Sequence, residues 1–525
     1  MQAPRFPDRF TALLSRFRHD RRANIAVIFA IAVLPILTAV GAAVDYSLAV
    51  QLRTKLQSAA DAASVASISA KSPGYIAATT MVSNGSVASG VTDADNIFNG
   101  TMSGVPGYTN LSVTSTVTKT GSTLASNVQF AADMPVVFMK VIGYTSLHLT
   151  GASKSSASLP LYLDFYLMLD VSGSMGLPST NSEQTRLSAV NPDNFSNYPG
   201  GCTLACHFQT QDVCNNGGQL YPTNNYCMGY PYSRVSQSAL TTLIHQASSA
   251  NVPKQPPPSL PNSMLSGLPT SLNTDAKSGM PAVSSCPTDG TDACIQLRAD
   301  AVGYAVTQLF ITANATAKVA NQFRIGLYPF IQYLYAYYAL TSSINGSPAN
   351  SSTINYAAAN LASQLDTNTN SSLGSGGTHF DNAFSSMNSV ITSVGNGSAS
   401  NNTLPYVFLV TDGAQDPQTK GLNGGGWSGS NHATVLDPVA QCKPLKDRGI
   451  IVSVLYIPYA PIQNPNHAFA GDEDGYANSN IANIPGSLQS CASPGFFYTA
   501  NTPADITAAL NAMFNHALVT AHITN

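Results

Sequence analysis

Residues 24–44 form a run of 21 residues without a single charge, dominated by Ile, Val, Leu, Phe and Ala. At a rise of about 1.5 Å per residue, a helix of that length spans roughly 30 Å, the thickness of a bilayer's hydrocarbon core. Arg5, Arg9, Arg16, Arg18, Arg21 and Arg22 precede the run, and Asp45 ends it. An arginine excess on one flank places residues 1–23 in the cytoplasm and everything after Asp45 on the other side of the membrane. A cleaved secretory signal shares the basic start. This apolar run is longer than a usual signal core, however, and passes straight into a helical pattern over residues 45–72, where Leu52, Leu56, Ala59, Ala63 and Ala66 fall near one stripe. The sequence therefore predicts a retained single-pass anchor, with Pro35 tolerated inside it.

A chain of 525 residues exceeds what one hydrophobic core can organise. Only 9% of it is charged, and 23 basic residues face 26 acidic ones. No stretch beyond the N-terminus concentrates Lys and Arg, so a nucleic-acid partner, which needs a basic footprint, is not expected. All 8 cysteines follow the anchor, and an even count in an exported region points to disulfides. Cys442 and Cys491 stand apart from the other six, which singles them out as a pair. The Cys202–Cys206–His207 run has one residue too many between its cysteines for haem attachment.

Ser72-Pro73-Gly74 breaks the helix that leaves the membrane. Residues 73–158 then read as a β-rich region, with alternating segments at 111–118, 127–131, 136–141 and 146–149 and turns at Gly107 and Gly143. A third region, residues 159–525, opens with the apolar strand 161–171. A polar stretch at about 176–294 interrupts it, holding six of the cysteines, and a loop that long reads as an inserted, disulfide-stapled excursion. Beyond it, helices at 295–319, 380–394 and 439–448 alternate with strands at 323–333, 406–411 and 449–456. A last helix begins at Thr502-Pro503-Ala504-Asp505, with a capping hydroxyl and proline in its first turn. Such alternation predicts an α/β fold around a mostly parallel sheet covered on both faces.

Chemistry concentrates at the strand ends. The first strand stops at Asp170-Val171-Ser172-Gly173-Ser174, three hard oxygen donors on a turn that Gly173 allows to be tight. Gly376-Gly377-Thr378 offers a hydroxyl on a glycine-rich loop before a helix. A second apolar strand ends at Thr411-Asp412-Gly413. Carboxyl edges of parallel sheets are where such folds bind ligands, and donors of this type suit Mg²⁺, with Mn²⁺ or Ca²⁺ as alternatives, rather than zinc or copper. The expected metal ligands are Asp170, Ser172, Ser174, Thr378 and Asp412, with the two carboxylates acting mainly through bound water. A bland reading gives these polar groups only helix-capping and turn roles.

On these three motifs the region resembles a von Willebrand factor A domain with a metal-ion-dependent adhesion site, all five coordinating positions being matched. The resemblance implies a doubly wound, mostly parallel sheet and a bound Mg²⁺ whose last ligand is a carboxylate from a partner. The long excursion departs from the family pattern. The N-terminal string, Arg21-Arg22-Ala23-Asn24-Ile25-Ala26 through Ala43-Val44-Asp45-Tyr46 to Leu56-Gln57-Ser58-Ala59-Ala60-Asp61, resembles the TadE/TadG-like pilus-assembly proteins of the tight-adherence (Flp) apparatus. That resemblance implies a bacterial inner-membrane protein with its bulk in the periplasm.

The expected function is thus that of a membrane-anchored, non-enzymatic pilus-assembly or adhesion protein. It would capture a protein partner, a pilus or envelope component, through an Asp or Glu completing the metal's coordination. Metal-dependent hydrolysis is the enzymatic alternative, with His379 or Asp416 as the nearest available base. A structural spacer with an inert site is the other.

Overall fold

A computed structural model describes residues 23–190, 215–216, 219–220, 286–292, 294–366, 370–422, 425–429, 432–459, 461 and 472–523. The chain divides after Leu159 into two compact units, Met1–Leu159 and Pro160–Asn525. Cys202, Cys206, Cys214, Cys227 and most of the excursion lie outside the described residues.

In the first unit one helix, α1 (Ala23–Ala66), runs unbroken for 44 residues with Pro35 inside it. Its first half is apolar on every side and exposed, with Ile25, Phe29, Leu34 and Leu37 each more than half accessible. By length and composition that stretch is apolar enough to cross a membrane. From Gly41 onward a buried stripe appears. Ala49, Leu52, Leu56, Ala59, Ala60 and Ala63 recur at helical spacing and pack against two partners. One is Ala94, Phe98 and Met102 of helix α3 (Ala88–Met102), which follows the short α2 (Pro73–Thr80). The other is an antiparallel sheet of strands β1 (Thr109–Thr120), β2 (Thr123–Pro135) and β3 (Ser146–Ser158), edged by Gly85–Ser86. The stretch 73–158 is therefore not purely β-rich. Its stripe Gly90, Ala94, Phe98, Met102 has helical period, and small residues and intervening polar ones mask it in the sequence.

Nor is 136–141 a strand. Asp45, 1% exposed, turns its carboxylate onto the amides of Val137, Phe138 and Met139 at 3.1, 2.8 and 2.8 Å. Amides captured there cannot pair with a neighbouring strand, and the chain instead makes a 3₁₀ turn, Met139–Ile142, closed by Gly143 at φ +96°. Asp45→Ala leaves those amides without an acceptor. Thermal unfolding should therefore show the first unit melting at a lower temperature.

The second unit is built on a six-stranded sheet: β4 (Leu163–Asp170), β5 (Phe323–Phe330), β6 (Tyr338–Thr341), β7 (Leu404–Thr411), β8 (Ile451–Tyr456) and β9 (Phe497–Thr499) in spatial order β9-β8-β7-β4-β5-β6. All neighbours run parallel except β5 and β6. Every residue of β4 and β7 is buried. Alternation along β4 sends Leu163, Phe165, Leu167 and Leu169 to one core and Tyr166 and Met168 to the other. The first core is closed by helices α4 (Arg298–Thr316) and α7 (Pro503–Ile523), the second by α5 (Phe380–Val390) and α6 (Ile484–Cys491). This is the mixed α/β sheet, covered on both faces, that near-continuous apolar strands require.

The excursion leaves and returns at one place. Leu177 O accepts from Arg298 N at 2.8 Å, and Gln296 O accepts from Ser179 N at 2.8 Å. The fully buried Glu183 accepts from the Gly290 and Gln296 amides, each at 2.8 Å, and a Cys286–Cys294 disulfide sits beside it. With its ends tied together, an insertion of this length does not disturb the sheet beneath it. Cys442 and Cys491 form another disulfide among the described residues, as their isolation in the sequence suggests.

Candidate metal centre

The chain leaves β4 toward β5 on one side and later returns to β7 on the other, so the sheet reverses its winding at β4. The crevice outside the carboxyl ends of β4 and β7 is thus a switch point, where ligands of open α/β sheets bind. In-register pairing, with Leu169 opposite Val410, brings Asp170 beside Thr411 and Asp412 at that rim.

Asp170 is fully buried. Its Oδ1 accepts from the Ser172 amide at 3.0 Å and the Ser172 hydroxyl at 2.6 Å, and its Oδ2 accepts from the Thr411 hydroxyl at 2.6 Å. Ser172 and Ser174 hydroxyls lie 3.3 Å apart. Asp412, equally buried, has Arg298 Nη1 at 3.3 Å from Oδ2, while among the described residues its Oδ1 has no hydrogen-bond partner. Burial, reinforced by the facing Asp412, pushes the Asp170 pKa up, against the pull of Ser172 and Thr411. Burial likewise raises Asp412, opposed by Arg298 and then by Ser174. Among the described residues, one guanidinium faces these two buried carboxylates at the rim.

Asp170, Ser172, Ser174 and Asp412 are therefore brought together. Thr378 is buried at 4% exposure on the neighbouring loop, and among the described residues its hydroxyl makes no hydrogen bond to those four. Backbone contacts tie its loop to the same rim. Val171 donates to Phe330 O at 3.3 Å while His379 donates to the next carbonyl, Ile331 O, at 2.9 Å. Asp366 adds a second tie, its amide donating to Val171 O at 3.1 Å and its Oδ2 accepting from Gly376 N at 2.9 Å. Gly377 is obligatory, because a Cβ there would meet Asp416 O at 1.9 Å.

Three contributors stand outside the expected ligand set. Thr411 lies in the Thr411-Asp412-Gly413 motif without a role of its own, and Asp366 carries no motif at all. Arg298 leaves a faint trace, a cation in the first turn of a helix, where the helix dipole disfavours it. The two candidate bases are both engaged in the loop: His379 Nε2 lies 2.9 Å from Gln418 O, and Asp416 Oδ1 accepts from Gln418 N at 2.9 Å.

Among the described residues no group of three or more His, Cys, Asp or Glu side chains gathers to hold a metal. An ion here would rest on two carboxylates and hydroxyls. Among the described residues Asp412 Oδ1 has no hydrogen-bond partner, and that oxygen together with the other hard oxygen donors fits Mg²⁺ better than a softer ion.

No curated protein matches the chain. Among solved structures, it is similar to the PilB minor pilin of Streptococcus sanguinis at 10% identity and TM-score 0.32, covering 78% of each chain. It is similar to the pilus adhesin SpaC of Lactobacillus rhamnosus GG at 13% identity and TM-score 0.31, covering 79% of this chain and 35% of that one. For the vWF domain of the type V pili tip protein Mfa5 of Porphyromonas gingivalis the values are 10% and 0.26, covering 70% and 97%. Scores this low carry no argument about fold or function. Residues 23–70 match the family model described as "Putative Flp pilus-assembly TadE/G-like". The chain thus carries a TadE/G-like segment at its N-terminus.

Proposed function

We propose that the chain is a single-pass protein of the bacterial inner membrane whose second unit is a von Willebrand A-type, doubly wound domain in the periplasm. This domain captures a pilus or envelope protein through an Mg²⁺-dependent adhesion site. The observation that carries the reading is the pair of fully buried carboxylates, Asp170 and Asp412, meeting at the sheet's switch point with one oxygen unpartnered among the described residues. Ser172, Ser174 and Thr378 supply neutral donors, so the site stays short of negative ligands and favours an anionic one from outside. Bound Mg²⁺ would offer a Lewis-acidic anchor for a partner's Asp or Glu. The role of the chain's own groups is orientation: Thr411 and the Ser172 amide fix Asp170, and the β7 strand end fixes Asp412. Binding rather than catalysis is supported by the engagement of His379 and Asp416 in loop hydrogen bonds.

Mg²⁺ added to the detergent-solubilised full chain should raise its melting temperature, and crosslinking in membranes should capture a partner that EDTA releases. Asp170→Asn keeps one of the two acceptor oxygens but removes the charge, and should abolish both effects. Capture that persists unchanged in EDTA refutes the reading. One observation favours the spacer alternative: Arg298 already places a cation on Asp412. An inert site would show neither the Mg²⁺ shift nor the sensitivity to Asp170→Asn.

A further inference from the structure

The turn between β2 and β3 exposes an unusual amount of apolar surface. Val137 is 67% accessible, Phe138 47%, Val141 70%, Ile142 51% and Tyr144 55%, with Lys140 exposed among them. Single exposed apolar residues need no explanation, but five within eight positions form a patch that water does not favour.

Its position within the first unit says what covers it. Asp45, the residue that ends the uncharged run, holds the backbone of 137–139. Phe138 packs directly on Gly41, where an added Cβ would fall 2.4 Å from Phe138 Cβ. Gly41 lies inside the uncharged run, about 6 Å along the helix axis before Asp45 at 1.5 Å per residue. A hydrocarbon core starting near Arg22 ends between Gly41 and Val44, after about 20 residues. Phe138 therefore sits at the hydrocarbon boundary. The strands lead away from it: Pro135 pairs with Ser146 at the near end and Thr123 with Ser158 at the far end, roughly 40 Å away at about 3.3 Å per residue.

We propose that the turn 136–144 is a second membrane-contacting element. Val137, Phe138, Val141 and Ile142 enter the boundary between headgroups and acyl chains, while Tyr144 and Lys140 sit at headgroup level, where aromatic and cationic side chains are favoured. The turn fixes the angle at which the β-sheet stands on the bilayer, which a lone helix would leave free. This inference rests on the reading of α1 as a membrane span.

The chain's single tryptophan, Trp427 in the second unit, makes the test direct. In a Trp427→Phe background, tryptophan is introduced at Val141, at Leu34 within the span, or at the exposed Thr120 at the far end of the sheet. Each full-length protein is reconstituted into phosphatidylcholine–phosphatidylglycerol vesicles with and without brominated acyl chains. The proposal expects Val141→Trp to show blue-shifted emission and strong quenching by brominated lipid, as Leu34→Trp does, with Thr120→Trp unquenched. Water-like emission at position 141 with a quenched position 34 overturns it. So does blue-shifted but unquenched emission at 141, which would mean that a second copy covers the patch. An unquenched position 34 instead removes the span, and the inference with it.

Discussion

Arg298→Met should unfold about 3 kcal/mol more easily than the native chain in EDTA, and Mg²⁺ should return most of that loss. The Arg298 and Asp412 side chains are 10% and 0% exposed, and their charged groups lie 3.3 Å apart. Removing one member of a buried pair strands the other charge, at a typical cost of about 3–5 kcal/mol. Methionine fills much of the same volume, so lost packing adds little. In the variant, the one cation that the described residues place beside two buried carboxylates is gone. A dication that binds the folded state alone then stabilises it by about 2.7 kcal/mol at 100-fold excess over Kd. Thermal unfolding followed by Trp427 fluorescence reports on the second unit, which is necessary because two units need not melt together. If Mg²⁺ leaves Arg298→Met as unstable as EDTA does, the guanidinium is a structural counter-ion and the spacer reading gains.

The same pair shows why the site was only partly legible in the sequence. Asp170, Ser172, Ser174 and Asp412 announce themselves because a buried strand that ends in oxygen donors is locally anomalous. Arg298 does not, since its partner lies 114 positions away and only the closure of the excursion at Leu177–Arg298 brings the helix start to the rim. Asp366 is invisible for the same reason: its role is to tie one loop's backbone to another's. In the first unit the long α1 and the strand segments were readable from period alone. The 3₁₀ turn at Met139–Ile142 was not, because Asp45 imposes it from more than ninety positions earlier. Helix α3 is hidden in the sequence where small residues stand in for large ones at Gly90 and Ala94; at Gly90 an added Cβ would fall 2.8 Å from Val117 Cγ1.

Replacing both Cys442 and Cys491 by Ala should cost about 4 kcal/mol, and the loss should reach the candidate metal centre. The bridge closes a segment with a sequence separation of 49, and the chain-entropy relation for a loop of that size gives a stabilisation of about 4 kcal/mol. Both cysteines are fully buried in the core that includes Ile484 and Leu488. Those two side chains press on Gly413, the residue after Asp412: a Cβ at Gly413 would lie 2.5 Å from Ile484 Cγ2 and 2.7 Å from Leu488 Cδ1. Gly413 also holds φ +81°, a conformation that other residues adopt only with strain. Helix α6 is thus a clamp on the turn that aims Asp412, and the disulfide at its last residue holds the clamp closed. The double variant should melt lower and also need more Mg²⁺ to reach the same stabilisation. Lower melting with an unchanged Mg²⁺ midpoint would show that the Gly413 turn holds Asp412 without the clamp. A stability loss under about 1 kcal/mol would place most of the constraint in the native packing of α6 rather than in the covalent tie.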